Sequence, residues 1–191
     1  MKKLTPTSRL WLKLRMLFIS DSPSGARARG KLYEPYLLEC GKNFKMAAQA
    51  FIYNPNKLRI GNDVYIGFNS YLGEGAISLK DEVMIGPFVS IAASNHLMKD
   101  GSFRFGGFAE APIIIGRGTW LAGHACITAG VTIGDSCLVA AGAVVTKSFP
   151  DGLIIGGVPA KEIGKNDSSA VKMKLSHYCQ LNKPIIGDRC S

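Results

Sequence analysis

Aliphatic residues recur at every sixth position over a long central part of the chain. The later run consists of Ile115, Leu121, Ile127, Ile133, Val139 and Val145. An earlier run has the same spacing, with one inserted residue in its middle, and consists of Ile60, Ile66, Leu72, Leu79, Ile85 and Ile91. This period fits neither an amphipathic helix nor the alternation of a single strand. The pattern therefore predicts an internal repeat.

The positions around these anchors repeat as well. The next residue is often glycine, at Gly61, Gly67, Gly73, Gly86, Gly116 and Gly134. The fourth residue after an anchor is usually small or β-branched, at Val64, Ser70, Ala76, Val83, Val89, Thr119, Ala125, Val131, Cys137 and Ala143. Such a unit suits one short strand plus one corner of a triangular solenoid, with about eighteen residues in each coil. Glycine, Asn62, Asp63 and Asp135 are expected to relieve strain at the corners.

An insertion, residues 93–112, separates the two runs. Long loops between packed elements are commonly functional, so this segment predicts a projecting arm. Its first residues include Ser94-Asn95-His96.

The ends of the chain depart from the repeat. Residues 1–20 predict a short helix capped near Thr7 or Ser8, followed by a polar connector over residues 21–30. A weakened repeat predicts a first coil with Cys40, Met46 and Ile52 at its anchors. The expected organisation is an N-terminal basic helix and connector (1–31), a β-helix domain (32–163) and a C-terminal tail (164–191).

Charge and cysteine content limit the function classes. The 191 residues carry a formal net charge of +9, with a basic N-terminal cluster of Lys2, Lys3, Arg9, Lys13, Arg15, Arg27, Arg29 and Lys31. This charge suits an anionic membrane or a small anionic ligand; no nucleic-acid fold signature accompanies it. Lys13 and Arg15 interrupt the only apolar stretch, residues 10–19, so no membrane span is expected. Five cysteines, Cys40, Cys126, Cys137, Cys179 and Cys190, form no zinc-type pair and favour reduced thiols in the cytoplasm.

These features together resemble the hexapeptide-repeat acyltransferases, above all the galactoside, maltose and xenobiotic O-acetyltransferases and the acetyltransferases of surface-polysaccharide clusters. The resemblance rests on the period, on the looped His96, and on the blocks Ile115-Gly116-Arg117-Gly118-Thr119-Trp120-Leu121-Ala122-Gly123 and Gly157-Val158-Pro159-Ala160-Lys161. It covers roughly residues 40–163. It implies an all-β, left-handed parallel β-helix with short terminal helical segments, and a homotrimer with active sites between subunits.

The resemblance implies that His96 is the catalytic general base. Acetyl transfer from a thioester to a hydroxyl needs a base for the hydroxyl proton, an oxyanion contact and two substrates held together. A carboxylate or a main-chain carbonyl is expected to orient the imidazole; Asp81, Glu82 and Glu110 remain open. His124 lies within regular repeats and is interpreted as a wall or interface residue, and His177 as a solvated residue of the tail.

The resemblance also implies an acetyl-CoA site and no metal. The matching positions are Trp120, Ala122, Gly123, Ala140, Ala141, Thr146, Lys147, Pro159 and Lys161. Trp120 matches a tryptophan that lines the acetyl-CoA site, the small residues match main chain along the pantetheine groove, and the two lysines suit the nucleotide phosphates. Some relatives carry a polar residue at the position of Gly123, so only its amide is available here.

The expected function is O-acetylation of a saccharide hydroxyl, in surface-polysaccharide biosynthesis. N-acetylation of an amino-sugar nucleotide and a non-catalytic scaffold are the alternatives. Acceptor-site candidates are Tyr53, Asn54, Asn69, Tyr71, Phe103 and Phe105, without individual support. We expect a cytoplasmic enzyme, with peripheral membrane contact through the basic N-terminal segment as a further hypothesis.

Overall fold

A computed structural model describes residues 5–167 of the chain. Two helices come first, α1 (Pro6–Leu17) and α2 (Pro23–Tyr33), and short 3-10 turns cover Glu34–Tyr36 and Pro55–Lys57. The strands are β1 (Glu39–Cys40), β2 (Lys45–Met46), β3 (Phe51–Ile52), β4 (Leu58–Ile60), β5 (Tyr65–Ile66), β6 (Tyr71–Leu72), β7 (Ile77–Leu79), β8 (Met84–Ile85), β9 (Ser90–Ile91), β10 (Ser94–His96), β11 (Phe108–Glu110), β12 (Ile113–Ile115), β13 (Trp120–Leu121), β14 (Cys126–Ile127), β15 (Thr132–Ile133), β16 (Leu138–Val139), β17 (Val144–Val145), β18 (Leu153–Gly157) and β19 (Ala160–Lys165).

Most of these strands belong to three sheets that run along the molecule. Sheet A has the order β1-β4-β7-β12-β15, sheet B the order β2-β5-β8-β13-β16-β18-β19, and sheet C the order β3-β6-β9-β14-β17. The chain visits sheets A, B and C in turn, and strands pair in parallel from coil to coil; β18 and β19 close sheet B as an antiparallel pair. The result is a β-solenoid of about six turns. The predicted parallel β-helix is confirmed.

The hexapeptide anchors form the interior of the solenoid. In sheet B, for example, Leu121 pairs in register with Ile85 on one side and Val139 on the other, and none of the three is exposed. Burial of each of these aliphatic side chains stabilises the fold by about 1.5–3 kcal/mol. The six-residue period therefore arises because these side chains stack along the solenoid axis.

Two polar side chains take part in this core. Ser70 donates a hydrogen bond to the carbonyl oxygen of Gly86 at 2.8 Å, and Thr119 donates one to that of Gly134 at 2.7 Å. Both residues are almost fully buried. Because each hydroxyl has a partner, its burial costs little.

The corners between sheets use left-handed backbone. The third residue after the anchors of sheets A and B has positive φ. The non-glycine residues that do so are Asn43, Asp63, Glu82 and Ser136 between sheets A and B, and Gln49, Asn69, Phe88 and His124 between sheets B and C. The expectation for Asp63 is confirmed. Asn62 and Asp135 act differently, because their side chains accept hydrogen bonds from the main-chain N–H groups of Lys42 and Arg117 in the preceding coil.

Two expectations for the N-terminal segment are wrong. Helix α1 is capped by Thr5, whose hydroxyl accepts a hydrogen bond from the Ser8 N–H at 3.2 Å. Residues 21–30 do not form a connector, since most of them belong to α2. The two glycines that suggested flexibility serve close packing: a Cβ at Gly25 would collide with the carbonyl oxygen of Ser20, and one at Gly30 with that of Phe44.

Arg29, counted from sequence among the surface charges, is buried beneath α2. Its guanidinium donates hydrogen bonds to the carbonyl oxygens of Ile19 and Ser20, both at 3.0 Å, and lies 3.8 Å from the Asp21 carboxylate. At the other end, β19 continues to Lys165, beyond the boundary expected at residue 163. His177, Cys179 and Cys190 lie outside the described residues. Within residues 5–167, neither helix has the length and hydropathy needed to cross a bilayer.

Candidate active site

His96 lies at the edge of a short hairpin between the third and fourth coils. The insertion folds into the antiparallel pair β10–β11, in which His96 faces Phe108 and Ser94 faces Glu110. A hydrogen bond from the Leu97 N–H to the Gly107 carbonyl oxygen, 3.0 Å long, continues the pairing beyond His96. The histidine is exposed. The expected arm therefore has a paired backbone, with the His96 side chain at its exposed edge.

None of the three carboxylates considered for orienting His96 contacts it. Asp81 accepts hydrogen bonds from Asn62, Glu82 pairs with Arg117 at 3.2 Å, and Glu110 pairs with Lys57 at 2.7 Å. Across residues 5–167 the imidazole makes no hydrogen bond within the chain. Both ring nitrogens are therefore available to a substrate or to another subunit.

The Lys57–Glu110 ion pair ties the hairpin to the solenoid. Both carboxylate oxygens of Glu110 accept hydrogen bonds from the Lys57 ammonium group, each 2.7 Å long, and both side chains are partly shielded from solvent. The two residues are 53 positions apart in sequence. Sequence reasoning missed Lys57 because no local pattern connects it with the insertion.

Trp120 begins β13 on the outer face of sheet B. Its neighbours in register are Met84 and Leu138, whose side chains also point outward. The tryptophan is 47% exposed and Met84 is 51% exposed. This apolar outer surface can accept the thioester arm of a ligand or a second copy of the chain.

The small residues predicted to line a groove lie at the corner between sheets B and C. The Gly142 N–H donates a hydrogen bond to the Gly123 carbonyl oxygen at 3.0 Å, which joins the segments Ala122-Gly123 and Ala140-Ala141 in adjacent coils. A Cβ added at Gly142 would meet no atom within 4 Å, and one at Gly123 would make only ordinary contacts. The corner is therefore open at Gly142, in the fifth coil, and leaves room there for a ligand.

His124 occupies the same corner one residue after Gly123. Its ring stacks on Phe88 with centroids 5.0 Å apart and planes 3° apart, and Phe88 packs edge-to-face on Phe68 at 5.6 Å. Bulky rings thus fill this corner in the second to fourth coils, and small residues follow in the fifth. The stack agrees with the interpretation of His124 as a wall residue.

The predicted nucleotide-binding segments lie at two different corners. Pro159, after a cis peptide bond, and Lys161, which pairs with Gly156, stand at the end of sheet B next to the small-residue corner. Thr146 and Lys147 follow β17 at the corner between sheets C and A, and the Lys147 ammonium group lies 5.5 Å from the centre of the Phe149 ring. Both lysines are exposed.

The chain does not bring all the predicted groups into one place. His96 follows sheet C and precedes sheet A, whereas the segments Ala122-Gly123 and Ala140-Ala141 follow sheet B and precede sheet C. The width of sheet C separates the two. Within one chain, the histidine and the small-residue groove therefore lie at different corners of the triangular solenoid.

The acceptor candidates are similarly divided. Tyr53 and Tyr71 are partly exposed on or beside sheet C, and burial, followed by the charge of Glu74, raises the pKa of the Tyr71 phenol. Phe103 and Phe105 are exposed in the insertion, at 56% and 76%. The described residues contain no group of three or more His, Cys, Asp or Glu side chains able to hold a metal.

Comparison with known proteins identifies the family. Residues 112–147 match the family model described as bacterial transferase hexapeptide (six repeats), and residues 57–87 match the hexapeptide repeat of succinyl-transferase. A Saccharomyces cerevisiae protein whose name describes it as a candidate acetyltransferase is 30% identical over 75% of this chain and 74% of its own length. This chain belongs to the hexapeptide-repeat acyltransferases.

Two further relatives of this acyltransferase carry more specific names. The galactoside O-acetyltransferase of Escherichia coli K12 is 29% identical over 83% of this chain and 79% of its own length. A solved structure of a galactoside acetyltransferase in complex with coenzyme A superimposes with a TM-score of 0.73 at 28% identity, covering 90% of this chain and 86% of that one.

Proposed function

We propose that this acyltransferase transfers an acetyl group from acetyl-CoA to a hydroxyl of a saccharide. The observation that carries the proposal is the exposed His96, held on a paired hairpin beside a solenoid that resembles a galactoside O-acetyltransferase. An accessible imidazole on a paired backbone suits a general base. The acceptor belongs, in this proposal, to surface-polysaccharide biosynthesis.

His96 accepts the proton of the acceptor hydroxyl while its oxygen forms a bond to the thioester carbonyl carbon. The carbon–sulfur bond then breaks, and His96 returns the proton to the departing thiolate of CoA. The reaction consumes no other reagent. The tautomer of His96 must be set from outside its own hairpin, because Asp81, Glu82 and Glu110 have other partners.

The open corner along sheets B and C is the proposed site for the pantetheine arm. Ala122, Gly123, Ala140 and Ala141 let a ligand approach the main chain closely, and Trp120 supplies an exposed apolar ring on the adjacent face. Lys161 stands at the end of this corner with its ammonium group unpaired within residues 5–167, in a position suited to CoA phosphates. Thr146, Lys147 and Pro159 complete the set of proposed contacts.

We propose a homotrimer, and the separation of these groups supports it. His96 and the groove lie at different corners of one chain, so a complete site requires the hairpin of one copy to reach the groove of another. Closed rotational symmetry then gives each copy the same environment. In this proposal all of these groups belong to the central β-helix unit, expected from sequence over residues 32–163, which β19 extends to Lys165.

We also propose a cytoplasmic location, at the inner face of the membrane. Cys40, Cys126 and Cys137 are free thiols, as in a reducing compartment. N-acetylation of an amino-sugar nucleotide remains the alternative reaction, and a screen of sugars against amino-sugar nucleotides separates the two. A non-catalytic scaffold would turn over none of them.

Replacement of His96 tests the function. We expect His96→Ala to lower kcat by about a hundredfold to ten-thousandfold, as removal of a positioned base does, and to abolish the ascending limb of the pH–rate profile. CoA affinity and thermal stability should stay near wild type, because His96 is exposed and supports no core contact. His124→Ala is the comparison variant and should keep the ascending limb of the pH–rate profile, because His124 is interpreted as a wall residue. A His96→Ala enzyme with more than about a tenth of wild-type kcat contradicts the assignment.

A further inference from the structure

Helix α1 is apolar on two opposite faces. Leu12 is buried in the hydrophobic core, and Met16 packs against it. On the other face, large apolar side chains stand in solvent: Leu10 is 59% exposed, Trp11 65%, Leu14 41%, Leu17 77%, and Phe18, at the helix end, 88%. Monomeric soluble proteins rarely expose such a contiguous apolar surface without a partner.

The angular order of these side chains is regular. With about 100° between successive helical residues, the five exposed side chains fall within an arc of roughly 120°. Leu12 lies almost opposite the middle of this arc. Lys13 borders the arc on one side and Arg15 on the other, each about 40° beyond the outermost apolar residue. We call this arc, with its two basic borders, the α1 outer face.

The charged side chains of helix α1 itself are all positive. Residues 5–20 contain no Asp or Glu. Lys31 of α2 lines the same cleft as Trp11 and Arg15, which extends the basic border onto the next helix. Neither Lys13, Arg15 nor Lys31 forms an ion pair within residues 5–167. A protein partner would have to cover an apolar strip between unpaired cations, whereas an anionic lipid surface matches both features.

The helix is also held rigidly enough to serve as an anchor. The Arg9 guanidinium donates a hydrogen bond to the Tyr53 carbonyl oxygen at 3.2 Å, and Thr5 caps the first turn. The outer face therefore points away from the solenoid in a fixed direction. A helix in this position needs no rearrangement to meet a bilayer.

We infer that the α1 outer face binds the surface of an anionic lipid bilayer. Leu10, Trp11, Leu14, Leu17 and Phe18 enter the boundary between headgroups and acyl chains, and Lys13 and Arg15 contact the lipid phosphates. The solenoid is thereby held beside the membrane. The inference does not depend on acetyl transfer, so its test can fail independently of the proposed reaction.

Sedimentation of the full chain with vesicles tests the inference. We expect binding to vesicles of equal parts phosphatidylcholine and phosphatidylglycerol, and much weaker binding to phosphatidylcholine alone. Leu17→Ser with Phe18→Ser should weaken binding more than tenfold, since each change removes a large apolar side chain from the interface. Lys13→Gln with Arg15→Gln should weaken it by about fivefold for each charge.

The matched control replaces two equally exposed apolar residues elsewhere, Phe105→Ser with Ile163→Ser, and should bind like wild type. Equal binding by the α1 variants and this control overturns the inference, as does the absence of binding by the wild-type chain. A change of oligomeric mass in Leu17→Ser with Phe18→Ser also overturns it, because the α1 outer face would then be an interface between copies.

Fluorescence gives an independent reading because the chain has only two tryptophans. In the Trp120→Phe variant, the remaining Trp11 should shift its emission to shorter wavelength on addition of anionic vesicles and should be quenched by brominated lipid. In Trp11→Phe, the emission of Trp120 should not respond. An unshifted Trp11 emission at vesicle concentrations that sediment the protein contradicts insertion of the α1 outer face.

Discussion

Asp81 illustrates how single residues hold successive coils in register. Its carboxylate accepts a hydrogen bond from the Asn62 main-chain N–H at 2.7 Å. In the same way, the carboxylate of Asp135 accepts one from the Arg117 N–H, and that of Asp151 accepts one from the Asp135 N–H. The main-chain and side-chain hydrogen bonds from Asn62 favour the charged carboxylate and lower the pKa of Asp81. Because the Asp81 carboxylate is bound to Asn62 at this corner, it is not available to orient His96.

The lowered pKa gives Asp81 a pH-dependent effect on stability. A carboxyl whose pKa is lower in the folded than in the unfolded state stabilises the fold at neutral pH, and this contribution is lost as the pH falls through the folded-state pKa. We expect Asp81→Ala to lower the melting temperature at pH 7 and to approach wild type in acid. Glu162→Ala, which removes an exposed carboxylate with no side-chain partner among residues 5–167, is the control. A pH-independent difference would contradict this account.

At the scale of elements, the corner between sheets A and B depends on glycine for close approach between coils. A Cβ at Gly116 would collide with main-chain atoms of Gly134 and Asp135 in the next coil. We expect Gly116→Ala to destabilise the protein by about 1–3 kcal/mol, as overpacking does. Gly164→Ala is the control, because its Cβ would make only ordinary contacts. Chemical denaturation measures both, and equal stabilities would refute the steric argument.

The Lys57–Glu110 ion pair adds a side-chain contact between the solenoid and the hairpin that carries His96. Partly exposed ion pairs contribute little to stability, so Lys57→Gln should leave the melting temperature nearly unchanged. A small displacement of the base is costly to the reaction, and we expect kcat to fall by about tenfold. Arg59→Gln, which breaks the Arg59–Glu39 pair two residues further along the chain, is the matched control. Equal kcat values for the two variants would exclude a positioning role.

At the scale of the whole molecule, the proposed active site combines groups from separated corners of more than one chain. Light scattering should give a mass about three times that of the 20.5 kDa chain at micromolar concentration. A monomer that retains full activity would remove the basis for a shared site.

Mixed assemblies provide a sharper test of sharing. Subunits with His96→Ala lack the base, and subunits with Ala141→Trp have a blocked groove, so neither is expected to be active alone. Reassembled together, they should regain part of the activity, because one copy supplies the base and the other the groove. A mixture that stays inactive after verified exchange of subunits would place each site within one chain.

The sequence by itself determined the solenoid. Positions that face its interior hold aliphatic side chains, and because such a position recurs in every strand, the sequence shows a period of six. It misjudged residues 21–30, where glycine serves close packing rather than flexibility. The resemblance pointed to His96 and the small-residue groove. Three relations became known only from the tertiary structure: the Lys57–Glu110 ion pair, the hydrogen bond between Asn62 and Asp81, and the burial of Leu12 opposite an exposed face of α1. Each depends on how elements pack against one another, which no local sequence pattern specifies.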